Sequence, residues 1–218
     1  MTQNRSHAVM AQRSEPRDSL DDFPTPAWGT RALCERLAQA GDLRHLSCWE
    51  PAANRGYMVG PLGEYFGTVD ASDVFDYGQG YRVQDFLFPM TPDAPQSDWI
   101  ITNPPFRLAA EFVELALERA RIGVAMLCRL VFLEGGNRHR RLFCIHPPAT
   151  VCVFSERLPM LRGRIDREAS SATAYAWFIW RHNLGPFIGK TPGIVWFPPG
   201  TRARLERDGD YTEATPET

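Results

Sequence analysis

Lysine is almost missing from this chain: of its 24 basic residues, 23 are arginine and only Lys190 is lysine. Long apolar runs are missing as well. The longest, Gly123–Cys128 and Tyr175–Trp180, are strand-sized, well short of the roughly 18 residues a membrane helix needs. Residues 1–18 hold no apolar stretch of the kind a signal peptide requires. A cytoplasmic protein with no membrane partner is therefore expected. The five cysteines are odd in number and form no CxxC. That argues against a disulfide framework and a structural zinc site, and no metal is expected. Internal repeats and low-complexity tracts are absent too. What is there has 218 residues, 44% hydrophobic and 23% charged. This is the composition of one globular domain, which excludes a collagen, a coiled coil and a wholly disordered chain.

The net charge of -2 is unevenly spread: Arg129–Ser170 carries +4 and the remainder -6. A basic region on an acidic body fits a surface that meets a polyanion, though a solvated face rich in arginine has the same composition. Residues 1–20 and 201–218 are polar and irregular and read as flexible tails. Between them, 21–200 alternates apolar runs with helical patterns. Strands are expected at Leu46–Glu50, Gly67–Val74, Asp98–Thr102, Gly123–Leu127, Thr150–Ser155 and Tyr175–Trp180. Helices are expected at Thr30–Ala40, Gly60–Phe66 and Ala109–Arg121, the last with Phe112, Val113, Ala116, Leu117 and Ala120 at helical spacing. Such alternation implies an α/β fold, a mostly parallel sheet with helices on both faces. Ligands bind such sheets outside the carboxyl ends of the strands.

Three strand ends carry candidate chemistry. The loop Glu50-Pro51-Ala52-Ala53-Asn54-Arg55-Gly56 has small residues that let backbone approach a ligand, ahead of a helix start offering free N–H groups. A tight strand-to-helix turn has the same composition. Asp70 and Asp73 end the next strand, about 20 residues on, where a carboxylate can accept from ribose hydroxyls, and Asp73 lies nearer the end. The third is Asn103-Pro104-Pro105-Phe106. Two consecutive prolines remove two backbone donors and fix both φ angles, leaving a rigid chain with unpaired carbonyls. Asn103 adds a side-chain acceptor and Phe106 an aromatic face. Two acceptors on an exocyclic amine favour a pyramidal nitrogen with an available lone pair. The Asn103 oxygen and the Pro104 carbonyl can be those acceptors, with a base stacked on Phe106. A base inside a duplex must be flipped out to reach them.

Residues 103–106 resemble the (D/N/S)PP(Y/F/W) motif of amino-group DNA methyltransferases. Glu50–Gly56 resembles their S-adenosylmethionine loop, and Phe23-Pro24-Thr25-Pro26 their N-terminal element closing over the methionine part of the cofactor. Val83-Gln84-Asp85-Phe86 resembles the element that meets the adenine of the cofactor. The order of these elements, with the basic region last, is similar to that of N6-adenine methyltransferases, particularly small stand-alone members from phages and mobile elements. The resemblance spans residues 22–183. It implies a Rossmann-like methyltransferase fold with a mostly parallel seven-stranded sheet. It also implies S-adenosyl-L-methionine as cofactor, and DNA with a flipped-out adenine as partner. Asn103, Pro104, Pro105 and Phe106 would be catalytic. Thr25, Pro26, Trp28, Glu50, Pro51, Ala52, Asn54, Gly56, Asp73, Asp85, Phe86 and Asn103 would bind the cofactor.

Asn54 departs from the glycine usual at its position, but asparagine tolerates the left-handed conformation. The chain has no room for the separate recognition domain of larger relatives. Recognition therefore falls to insertions near 129–145 and 159–173, with Arg129, Arg138, His139, Arg140, Arg141, Arg162 and Arg164 as DNA contacts. Among the late-strand aromatics Tyr175, Trp177 and Phe178, the first and second share a face. Methylation of an RNA base or a protein glutamine, or a catalytically silent nucleic-acid-binding role, stays open, as does a partner endonuclease.

Overall fold

A computed structural model describes residues 21–88, 96–182 and 191–211. The tail expected at 1–20 lies outside the described residues. The strands are β1 (Ser47–Glu50), β2 (Thr68–Asp73), β3 (Arg82–Val83), β4 (Trp99–Thr102), β5 (Gly123–Arg129), β6 (Thr150–Phe154), β7 (Tyr175–Arg181) and β8 (Gly193–Phe197). They form one sheet in the order β3-β2-β1-β4-β5-β7-β6-β8, one strand more than the seven expected. The sheet is mixed: β7 runs antiparallel to both β5 and β6, and the other pairings are parallel.

The strand order reverses at β1. Its next strand, β2, lies on one side and β4 on the other, so the crossovers diverge and leave a crevice at the carboxyl ends of β1 and β4. The helices follow suit. Helix α1 (Ala27–Ala38) and the short α2 (Val59–Gly63) cover one face, and α3 (Ala109–Arg119) covers the other. Side-chain alternation divides the buried residues accordingly. Trp99, Ile101, Ala125, Leu127, Trp177 and Ile179 pack with α1, while Ile100, Val124, Met126, Phe178 and Trp180 pack with α3. Tyr175 and Trp177 share a face as expected, and the Trp177 indole donates to the Gly29 carbonyl at 2.9 Å.

The end of the chain departs from the expectation of a flexible tail. Thr201–Leu205 forms a helix, α4, with Thr201 and Leu205 buried. Arg31 of α1, itself buried, binds the Leu205 carbonyl at 2.8 Å and the Asp210 carboxylate at 2.8 Å. Residues 201–211 are thus held by a buried cation, and 212–218 lie outside the described residues. Among the described residues no helix is long and apolar enough to cross a membrane.

Candidate functional site

The catalytic-motif candidate begins where β4 ends. Asn103 Nδ2 donates to the Phe23 carbonyl at 2.8 Å. A carbonyl can only accept, so this bond fixes the amide's orientation and turns Oδ1 the other way. Oδ1 is buried without a hydrogen-bond partner among the described residues. An acceptor left in that state is costly unless a ligand donor completes it. Phe106 N–H, the first donor after the two prolines, is held by the Asp21 carboxylate at 2.6 Å. The Pro105 carbonyl accepts from Leu108 N–H at 2.9 Å, so it is not one of the unpaired carbonyls expected of this turn.

The loop after β1 turns through Asn54, whose φ of 51° is the only positive value at a non-glycine position among the described residues. Local bonds hold this left-handed residue. Its backbone N–H donates to Asp73 Oδ2 at 2.8 Å, its Nδ2 to Asp22 at 2.8 Å, and its Oδ1 accepts from Arg55 N–H at 2.7 Å. Asparagine thus takes the place of the usual glycine by building its own hydrogen-bond cage. Gly56 does need to be glycine: its φ is 84°, and a Cβ there would meet the Tyr81 hydroxyl.

These segments enclose an open cleft with about 890 Å³ of empty space, part of it continuous with solvent. Thr25, Glu50, Pro51, Ala52, Asn54, Asp73, Asp85, Phe86, Asn103 and Pro105 are among the residues that line it. Glu50 is the electrostatic centre. Burial pushes its carboxyl up to about 8, against the opposing pull of the Thr102 hydroxyl and of Ala52 N–H, which donates to Oε1 at 3.0 Å. Burial also raises the Asp73 carboxyl. Thr25 Oγ1 is a further buried oxygen without a partner among the described residues. A cleft with two buried carboxyls, two buried neutral oxygens and a loop of backbone N–H groups suits a ligand with an ammonium and several hydroxyls.

Other expected residues stand off the cleft wall. Trp28 is the clearest correction. On the first turn of α1 its indole turns into the core, 1% exposed and edge-on to Phe154 at 5.3 Å, so it is not a cofactor contact. Pro26 caps α1, Gly56 acts through its backbone, and Pro104 is buried in the turn. Phe106 lies outside the cleft, 5.2 Å from Phe23 and 5.9 Å from Tyr175. The sequence reading missed the Asp21-Asp22-Phe23 strap that ties the two loops together. Asp21 holds Phe106, Asp22 holds Asn54 and Arg55, and the Phe23 carbonyl holds Asn103. Two adjacent acids just before the Phe-Pro-Thr-Pro element were the available signal.

The arginines expected to face DNA do not act as one group. Arg138 donates to the carbonyls of Phe132 and Glu134 and stacks on Phe132 at 4.4 Å. Arg141 pairs with Glu111 and Glu114 of α3. Both are held by the protein itself, which corrects their assignment as open phosphate contacts. Arg164 pairs with Asp166 at 3.4 Å, and Arg162 is exposed. His139 is exposed, its ring 3.4 Å from Cys144 Sγ. Arg140 is exposed, and Arg129 lies over Phe106 at 4.1 Å.

No family model and no curated protein sequence matches the chain. Solved structures do resemble its fold. A modification subunit of a putative type I restriction enzyme from Vibrio vulnificus superposes with a TM-score of 0.54 and 14% identity, covering 73% of this chain and 44% of that one. The methyltransferase subunit of a type I restriction-modification system from Streptococcus thermophilus gives 0.57 and 11%, covering 74% and 45%. A putative RNA methyltransferase from Pyrococcus horikoshii gives 0.55 and 15%, covering 77% and 91%. The fold is the Rossmann-like fold of the methyltransferases. The chain spans less than half the length of the two restriction-enzyme subunits it matches.

Proposed function

We propose that the protein transfers a methyl group from S-adenosylmethionine to the N6 amine of adenine in DNA. The observation that carries this reading is Asn103 Oδ1, a buried acceptor without a partner among the described residues, its orientation fixed by Phe23. The cleft's donor set fits the cofactor. Glu50 would meet the methionine ammonium, the Glu50–Gly56 loop the carboxylate end, and Asp73 the ribose hydroxyls. Asp85 and Phe86 would meet the adenine of the cofactor. Bound there, S-adenosylmethionine supplies an electrophilic methyl group.

The chain's own part is positional and electrostatic. Asn103 Oδ1 and the Pro104 carbonyl accept the two N–H bonds of the target amine, which localises its lone pair and stabilises the charge that develops on nitrogen. Phe106 stacks on the flipped base. The prolines keep the acceptors in place before the substrate arrives, so little reorganisation accompanies the reaction. An RNA base or a protein glutamine offers a similar amine, and one of the similar folds is a putative RNA methyltransferase. The test uses labelled S-adenosylmethionine with DNA, RNA and protein in parallel, followed by sequencing of adenine methylation in DNA from a host lacking it. Label in DNA as N6-methyladenine supports the reading. Label confined to RNA or protein overturns it.

A further inference from the structure

Phe106, the proposed platform for the target base, is already covered in this structure. Phe23 and Tyr175 pack around it at 5.2 and 5.9 Å, and the Arg129 guanidinium lies over its ring at 4.1 Å. A base can stack on Phe106 only if one of these neighbours leaves. Phe23 and Tyr175 are poor candidates, being 8% and 4% exposed. The Phe23 backbone also holds Asn103, and Tyr175 lies within β7.

Arg129 is different. It is the last residue of β5, in register with Tyr175, and its side chain is exposed. The backbone just beyond it is pinned by the bond from Leu130 N–H to the Ala174 carbonyl at 2.8 Å, so the long side chain can swing while the strand stays put. Its side chain is held by this cation–π contact and by a hydrogen bond to the Tyr175 hydroxyl, neutral contacts that a phosphate can replace with a charge-assisted one.

We infer that Arg129 gates the target-base site: its guanidinium covers the Phe106 face in the free protein and moves to a backbone phosphate when the base enters. This rests on the reading of the site as a DNA methyltransferase. Arg129 is then a positioning residue that couples phosphate contact to opening of the platform. DNA is what draws the cover away, so the site stays shielded from stray apolar ligands until a strand is bound.

The experiment measures transfer of labelled methyl groups to duplex DNA from a host without adenine methylation, using the full chain and the variants Arg129→Ala and Arg129→Lys. Arg129→Ala should raise KM for DNA about tenfold and lower the log–log salt slope of binding by about 0.9, the loss of one phosphate contact. It should also raise kcat by about two- to fivefold, because no cation–π contact has to be broken before the base stacks. Arg129→Lys keeps the charge and loses the planar stack, so its kcat should rise while its salt slope matches the parent. Calorimetric affinity for S-adenosylmethionine, equal in all three proteins, shows that the variants are folded. An Arg129→Ala protein with lower kcat and unchanged KM and slope overturns the gate, since the arginine would then be supporting the reaction itself. A parent protein that binds S-adenosylmethionine but labels no DNA refutes the DNA methyltransferase reading, and the gate falls with it.

Discussion

In the proposed reaction two residues, Asn103 and Glu50, would carry most of the chemistry, and both present a buried oxygen at the cleft. For Asn103 the Phe23 carbonyl fixes which end of the amide faces the cleft. Asn103→Ala should lower single-turnover methyl transfer by about 10²–10³, the effect of losing one preorganised dipole, with a much smaller loss of calorimetric affinity for S-adenosylmethionine, whose cleft it also lines. Asn103→Asp keeps the acceptor and should retain activity. For Glu50 burial has the larger consequence, with the carboxyl pushed up to about 8. At neutral pH the empty site holds the proton, and a bound ammonium favours the ionised form. Affinity for S-adenosylmethionine should therefore climb from about pH 6 to about pH 8, and Glu50→Gln should flatten the climb. In the unliganded protein the sign reverses. An unfolded glutamate ionises near about 4.3 while the folded one keeps its proton, so stability falls as pH rises through that window. Glu50→Gln should raise Tm in thermal melts, by more at about pH 8 than at about pH 5. A gain in stability accompanied by loss of ligand response marks a residue kept for function.

At the scale of elements, the same fold relies on contacts that join distant parts of the chain. Arg31 binds Glu64 at 2.9 Å and Asp210 at 2.8 Å with only 4% and 7% of the Arg31 and Asp210 side chains exposed, tying α1 to the cap of α2 and to the segment after α4. Burial works against this cation, but the hydrogen bonds it donates to Asp210 and Glu64, with the charges of those carboxylates, outweigh it and raise its pKa. Arg31→Met should lower urea stability by about 3–5 kcal/mol, because it leaves the Asp210 carboxylate buried without its cation. Nothing in the local sequence announces that pairing, and so the segment from Thr201 reads as a polar tail. Strands β4, β5, β6 and β7 were legible because their apolar runs are dense, and β1 and β4 because they stop at Pro51 and Asn103. Strands β3 and β8 were not: Arg82–Val83 is two residues long, and Gly193–Phe197 leaves Ile194 and Trp196 exposed at an edge, so neither shows a buried pattern. The cleft was legible wherever chemistry is written in consecutive residues, as in Asn103–Phe106 and Glu50–Gly56. The Asp21–Phe23 strap was not, because its partners lie 32 to 85 residues away in sequence.

For the molecule as a whole, charge sets how it would meet DNA. A net charge of -2 is an average of a +4 segment, Arg129–Ser170, and a -6 remainder. On the reading of DNA as substrate, a phosphate would be drawn to the arginine-rich segment and repelled by the acidic remainder, which would favour some encounter orientations over others. Composition alone treats every arginine of that segment as available. The structure separates them, because Arg138 is spent on the carbonyls of Phe132 and Glu134 and Arg141 on Glu111 and Glu114. Of these three, Arg140 is exposed and has no ion pair or hydrogen bond among the described residues, so it can reach a phosphate without giving one up. Arg140→Ala should therefore reduce the log–log salt slope of duplex binding by about 0.9. Arg138→Ala and Arg141→Ala should leave that slope unchanged, and Arg138→Ala should show itself as faster amide exchange in the turn Phe132–Glu134. The check is fluorescence anisotropy over a salt series for the three single variants. Equal loss of slope in all three would mean that the internal pairs open on binding and the arginines act as one patch after all.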